Sequence, residues 1–263
     1  ASLAFSQGDY QKAIIDLRSI LSSDPNALRA ARVLSEALLI QGHLDLAIDT
    51  ILQAAQKHPD DKGAMVRLAQ MRALRGDRNE ARDILLNITK IDPSYPFAWE
   101  SLARLAIESK QWDKAQDAIA MLEKLDGQET MTTLLKGRVK QESGQTADAV
   151  ALYETVVKAD PAAPMAGYAL SSLLEMTAAT PEQTEHLRDF LISLDAENPT
   201  ILTALGNTEV TLNNLEAAES AFRTAISHAP RNQTPYLALA ELLAKRNDLA
   251  GALGDGEEGV DRR

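Results

Sequence analysis

The sequence predicts an all-α protein made of antiparallel helix hairpins stacked into a solenoid. Three ladders of residues carry that prediction. Small residues recur at Ser35, Ala69, Ala103, Gly137, Ser171, Gly206 and Ala240, spaced 34 residues apart except for one step of 35. Alanines repeat the period at Ala13, Ala47, Ala81, Ala115 and Ala149, and again at Ala218 and Ala252. Prolines mark Pro25, Pro59, Pro93, Pro161 and Pro230. A period of this length is the signature of stacked supersecondary units, none of which buries its apolar face alone.

Residues 28–59 give the unit in its clearest form. Ala31, Leu34, Ser35, Leu38 and Leu39 recur at spacings of three and four, one face of an amphipathic helix. Gly42 interrupts the pattern and offers a left-handed or otherwise irregular turn at low steric cost. A second apolar face follows in Leu44, Ala47, Ile48, Ile51, Leu52 and Ala55. His58-Pro59 ends it, because proline disfavours the helical region for its predecessor and has no amide hydrogen to donate. Asp60 or Asp61 caps the next helix. The small ladder marks the closest crossing of the two helices, with Ser35 on the first, Ala47 on the second, and Leu34, Ile51 and Ala54 filling the space beside them. A leucine at either crossing residue is expected to overpack it by about 1–3 kcal/mol.

The other units follow in order. The chain opens with Ala1 on the small-ladder position of a first helix, and Gly8 is the turn residue of that unit. The same turn position holds Gly42, Gly76 and Gly144, with Lys110 and Asn213 substituting elsewhere. Trp99, Leu102, Ala103, Trp112 and Ala115 build one well-formed unit. The next departs from the pattern, with Lys136 where leucine is expected and Gly127 in place of proline. The unit from about 164 to 198 keeps Leu170 and Ser171 but lacks the second-helix alanine, with Leu187 near its place, and it holds the one inserted residue. Its second helix is announced by Thr180-Pro181-Glu182: a cap, a proline at the first helical position, then an acid. Leu202, Leu205, Gly206, Ala218, Phe222, Ala225 and Pro230 restore the pattern. Ala252 occupies the second-helix alanine position of a last unit, where four glycines within residues 251–259 oppose a stable helix. The expected organisation is a solenoid over residues 1–253, about seven repeats with partial ones at its ends. Residues 254–263 are expected to be a disordered tail or a truncation scar, and both ends read as cut from a longer array.

These residues resemble the tetratricopeptide repeat family, whose unit runs large, leucine, small, aromatic, then alanine, aromatic, alanine, proline. The resemblance covers nearly the whole chain. It implies a right-handed superhelical α-solenoid whose first helices line a concave groove for a protein or peptide. Carried over, the partner-binding positions are Arg29, Arg32, Glu36, Gln70, Phe97, Glu100, Arg104, Met131, Arg138, Tyr168 and Asn207. Val66, Leu134, Ser172, Thr203, Leu237 and Glu241 fall in the same row. Phe97, Met131 and Leu134 fit packing between repeats equally well, and Arg32, Arg104 and Arg138 fit pairing with Glu36, Glu100 and Glu142 on their own helices. Two subtypes are disfavoured. A clamp for a C-terminal carboxylate meets Glu36, which repels it. An asparagine ladder for glycosyltransferase substrates meets Val33, Arg67, Ser101, Leu135, Ala169, Ala204 and Ala238 instead.

Composition narrows the function classes. A formal charge of −11 and a pI near 4.9 argue against nucleic acid or an anionic membrane as the primary partner. No cysteine is present, so disulfides and thiolate metal sites are excluded. No apolar run approaches the roughly 18 residues of a membrane span. His43, His58, His186 and His228 lie in different units, in or near turns, and lack metal-ligand spacing. Acids such as Asp9, Asp45, Asp77, Asp113 and Asp148 recur with the repeat, whereas acid–base catalysis needs one distinct cleft. Neither a phosphate-binding glycine loop nor a nucleophile elbow appears. The expectation is a non-catalytic scaffold without metal or cofactor, binding a protein or peptide. The alanine-rich repeats are similar to bacterial arrays of exopolysaccharide export and cell-envelope assembly, which favours the periplasm or envelope over the cytoplasm. Two alternatives stand beside it: a cytosolic adaptor or regulatory arm of a larger enzyme, and a self-associating homo-oligomeric array.

Overall fold

A computed structural model describes residues 4–5, 8–194 and 197–246, and among these every regular element is helical. The helices are α1 (Tyr10–Ser23), α2 (Leu28–Ile40), α3 (Leu44–Lys57), α4 (Lys62–Arg75), α5 (Arg78–Ile91), α6 (Pro96–Glu108) and α7 (Trp112–Leu122). There follow α8 (Glu129–Glu142), α9 (Thr146–Ala159), α10 (Pro164–Thr177), α11 (Pro181–Ile192), α12 (Pro199–Thr211) and α13 (Leu215–His228), then helical residues 234–246. Ala1, Ala252 and the tail at 254–263 lie outside the described residues. Even-numbered helices are the first helices of their hairpins and odd-numbered ones the second. The chain divides into two compact units, Ala1–Leu135 and Lys136–Arg263, with the division inside α8.

The turn between first and second helix has one recurring construction. Gly8, Gly42, Gly76, Lys110, Gly144 and Asn213 all have positive φ, the six positions that the sequence assigns to the turn. The amide after each returns to a carbonyl of the last helical turn: His43 N to Leu38 O, Gln111 N to Ala106 O, Gln145 N to Lys140 O and Asn214 N to Glu209 O, each at 2.8 Å. This closure satisfies carbonyls that the helix end would otherwise leave unpaired. At the end of the second helix, Asp24, Asp92 and Asp160 precede the ladder prolines and accept a bond from the amide two residues on, each at 3.0 Å. Asp61, rather than Asp60, caps α4 by accepting from Ala64 N.

Hairpins close on the small ladder. Ser35, Ala69 and Ala103 are fully buried, as are Ala47, Ala81 and Ala115 on the facing helices. Sixteen residues beyond five of the small residues stand buried side chains, Ile51, Leu85, Ile119, Tyr153 and Phe222, of which Tyr153 and Phe222 pack directly on their small residues. Ladder size and partner size are matched. A methyl group on Gly137 would lie 2.7 Å from Tyr153 Cε1, and one on Gly206 would lie 2.6 Å from Phe222 Cδ1. Glycine therefore appears where the partner is aromatic, and alanine or serine where it is aliphatic.

The hairpin α10–α11 breaks the rule, and the structure corrects two expectations there. Ser171 is exposed, its hydroxyl bonded to Gly167 O at 3.0 Å rather than set in a crossing. The second-helix alanine is replaced by Thr184, which is buried, while Leu187 lies one turn further on. The inserted residue lengthens α10, which ends at Thr177, six residues past Ser171, where α2, α6, α8 and α12 end five past their ladder residues. In the three-residue turn that follows, Ala178 keeps right-handed φ of −69° and no left-handed residue closes the helix. Threonine hydroxyls close it instead. Thr184 Oγ1 donates toward the carbonyls of Thr177 (2.8 Å) and Thr180 (3.0 Å), and the Thr180 hydroxyl accepts from Gln183 N as the cap of α11. Ala240 is exposed as well.

Within each unit the stacking order places first helices side by side. In the first, α3 packs on α2 and α4, α5 on α4 and α6, and α4 touches α6 directly. In the second, α11 contacts α10 and α12, and α10 touches α12. One face of each unit is therefore made of first helices, and the opposite side is made of second helices.

Candidate functional site

The first-helix face of the first unit carries eight of the eleven candidate residues, and the structure joins several of them to one another. Glu36 on α2 bonds Arg67 on α4 at 3.2 Å, in place of a same-helix pair with Arg32. Gln70 Nε2 on α4 donates to Ser101 Oγ on α6 at 3.1 Å. Glu100 and Arg104 pair along α6 at 2.9 Å, as the spacing allows. These bonds lace α2, α4 and α6 together. Half-exposed pairs of this kind contribute about 0–1 kcal/mol each, so their effect is to fix side-chain positions more than to stabilise the fold.

Arg29, Arg32 and Phe97 remain open. Phe97 is 57% exposed and leans on Tyr95 with ring centroids 5.6 Å apart. Lys62 at the start of α4 places its ammonium 5.4 Å from the Tyr95 centroid and forms an ion pair with Asp92. The Lys62 contact and bonds from the Ser94 hydroxyl and amide hold Asp92 down to about 2. Burial raises the Tyr95 phenol, with Asp61 and Asp92 adding to the rise and Arg32 and Lys62 opposing it. Gly63 lies beside both charged groups: a methyl there would sit 3.3 Å from Asp61 Oδ1 and 3.4 Å from Arg32 Nη2. Together these contacts set Tyr95 between the Lys62 ammonium and the exposed Phe97 ring at the leading ends of α4 and α6. Met131 is half-buried and Leu134 buried, so the packing role holds for Leu134, as it does for Val66.

In the second unit Tyr168 stands 66% exposed on α10, while Arg138 and Asn207 are half-buried. Arg138 makes no ion pair with Glu142 and lies near Tyr153, whose phenol is raised by burial despite the opposing charge of Arg138. Tyr153 donates its hydroxyl to Gln141 Oε1 at 2.6 Å. His58 Nε2 donates to Asn26 O (3.0 Å), and His186 is in mid-helix on α11 rather than in a turn, 2.9 Å from Glu154. Among the described residues no cluster of histidine and carboxylate side chains could hold a metal ion, and no helix is long and apolar enough to cross a membrane.

Three cavities open on the second-helix side, which the sequence reading did not single out. One of about 470 Å³ lies between α5 and α7 over α6, another of about 540 Å³ between α9 and α11, and a smaller one of about 290 Å³ between α1 and α3. The signal was available: Arg78, Arg82 and Leu86 form an i, i+4, i+8 stripe on α5 that does not recur with the period.

Helix hairpins at a fixed period, closed by the same turn and crossing at the same small residues, define a repeat-array protein. Residues 1–62, 41–96, 134–189 and 203–263 match the sequence profile of the tetratricopeptide repeat, and the chain belongs to that family. Its fold is shared by a tetratricopeptide repeat protein from Parabacteroides merdae (TM-score 0.55, 13% identity, covering 91% of this chain and 94% of that one). Yeast Tom70 is similar over 97% of this chain and 55% of its own, with TM-score 0.61 and 15% identity. A thermophilic protein of the family from Thermus thermophilus matches over 83% of this chain and 100% of its own, with TM-score 0.50 and 16% identity. No curated protein matches the sequence. Membership in this family makes the chain a scaffold for protein–protein interaction in its general class.

Proposed function

We propose that the chain is a non-catalytic scaffold that binds a protein or peptide partner along its first-helix face during assembly of a multiprotein complex. The setting we infer, from its alanine-rich and cysteine-free repeats, is bacterial envelope assembly or polysaccharide export. The observation that carries the binding reading is Phe97. It is a large apolar side chain left open on a face whose polar neighbours are already bonded to each other, and it packs on Tyr95, the ring that Lys62 covers. Aromatic and arginine side chains are the residue types that dominate interface energies, and Arg29 and Arg32 are exposed on the same face.

The test is a photo-crosslinking residue placed at position 97 in cells that make the protein, compared with one at position 15, an exposed second-helix site. One partner captured from position 97, and lost on Arg32→Glu at unchanged helicity, is the expected outcome. Equal capture from position 15 would move binding off this face. Cell fractionation addresses the setting separately, and recovery in the cytosol alone would overturn it.

A further inference from the structure

We infer that the groove between second helices α5 and α7 is a separate docking site, one that takes an acidic peptide segment of a partner protein through an apolar side chain set between carboxylates. Its location is the side opposite the first-helix face, so the inference stands or falls independently of the reading above.

The groove has a volume of about 470 Å³, within the range of sites that enclose a ligand's side chains. Its floor is hydrocarbon from α6: Trp99, Leu102 and Leu105. The indole N–H of Trp99 is already bonded to Pro93 O at 2.8 Å, so the ring offers apolar surface without an unmet donor. Leu86 on the α5 wall is 37% exposed. An apolar side chain entering here removes water from that floor and wall, which is the main source of affinity for a short segment.

The rim supplies the charge. Arg78 projects from α5 and has no acidic partner among the described residues, and Lys114 on α7 bonds only neutral Gln111, at 2.8 Å. Arg82 is held by the adjacent Asp83 at 3.0 Å, and Asp117 on α7 is the opposing carboxylate at the rim. Two uncommitted cations on facing walls stand out on a chain of net charge −11. The equivalent cavity between α9 and α11 serves as an internal comparison. There Thr146 replaces Arg78, Val150 replaces Arg82, and Glu154 and Glu182 line the site. Repeat geometry makes both cavities, so the cations are not a consequence of the fold. Complementarity of sign selects a carboxylate-bearing segment for the α5–α7 groove.

Trp112→Phe leaves Trp99, within the groove, as the sole indole of the chain. The probes are two capped peptides, Glu-Glu-Leu-Leu-Glu-Glu and Lys-Lys-Leu-Leu-Lys-Lys, titrated while Trp99 emission is followed. The acidic peptide is expected to give a saturable shift and the basic one none. Arg78→Gln with Lys114→Gln should weaken the acidic peptide by about tenfold or more, while Arg32→Glu leaves it unchanged. Should the double variant lose helicity, Arg78→Gln alone carries the same comparison. No saturable shift, equal binding of both peptides, or undiminished binding by the glutamine variants would overturn the inference.

Discussion

Two of the six turn residues hold left-handed backbone without being glycine, and they differ in what that costs. Lys110 sits at φ 54° and Asn213 at φ 61°. A Cβ in this region crowds the following carbonyl, while asparagine tolerates it because its short amide bonds locally. Lys110→Gly should therefore stabilise the protein by about 0.5–1 kcal/mol, after allowance for the greater freedom of glycine in the unfolded chain, and Asn213→Gly by less. Urea denaturation of the two variants measures the difference, and an equal or reversed ranking would refute the steric account. Asp92 offers a test in pH. Its carboxyl titrates at about 2 when folded, below its usual 3.8, because of the Lys62 and Ser94 contacts. A depressed folded value means that its contribution is present above pH 3.8 and disappears as pH falls toward 2. Melting temperature followed over that window should fall less steeply in Asp92→Asn than in the parent. Parallel slopes would show that the ion pair contributes nothing to folding.

At the scale of the hairpin, the matched sizes of the crossing residues make a prediction that a single substitution cannot. Gly206→Ala drives a methyl into the Phe222 ring, an overpacking of about 1–3 kcal/mol. Adding Phe222→Ile recreates the pair that Ala103 and Ile119 already form in another hairpin. The double variant should recover a large share of the stability that the single one loses, and a purely additive loss would show the crossing is not what excludes the methyl. The six turn residues, the ladder of crossings and the cap at Thr180 were all legible in the sequence, because each answers a local steric demand that repeats. Ser171 was not. A single inserted residue looks the same wherever it falls in a 35-residue step, and only the bounds of α10 and α11 decide that Thr184, rather than Leu187, takes the place of the second-helix alanine. The candidate site was legible in part. Exposure of Tyr168 follows from helix phase, but for Phe97 packing between repeats fitted the sequence equally well, and the bonds from Glu36 to Arg67 and from Gln70 to Ser101 depend on how neighbouring first helices are offset, which no single helix encodes.

At the scale of the whole molecule, the main helix–helix contacts within each unit, among the described residues, fall between elements one or two places apart in the chain. Stability in such an array is close to a sum of local terms, each hairpin supported by its immediate neighbours. Damage should then stay local instead of lowering every helix together. Ala103→Leu supplies the damage: Ala103 is fully buried at the ladder position, and the larger side chain overpacks its surroundings. Amide exchange should accelerate in α5, α6 and α7, where opening becomes easier, while α12 and α13 retain the protection of the parent chain. Loss of protection by the same factor in all helices would mean that the array unfolds as one cooperative body. The experiment also bears on how a scaffold of this kind can work, because a chain that opens by segments can reorganise one binding surface without disturbing another.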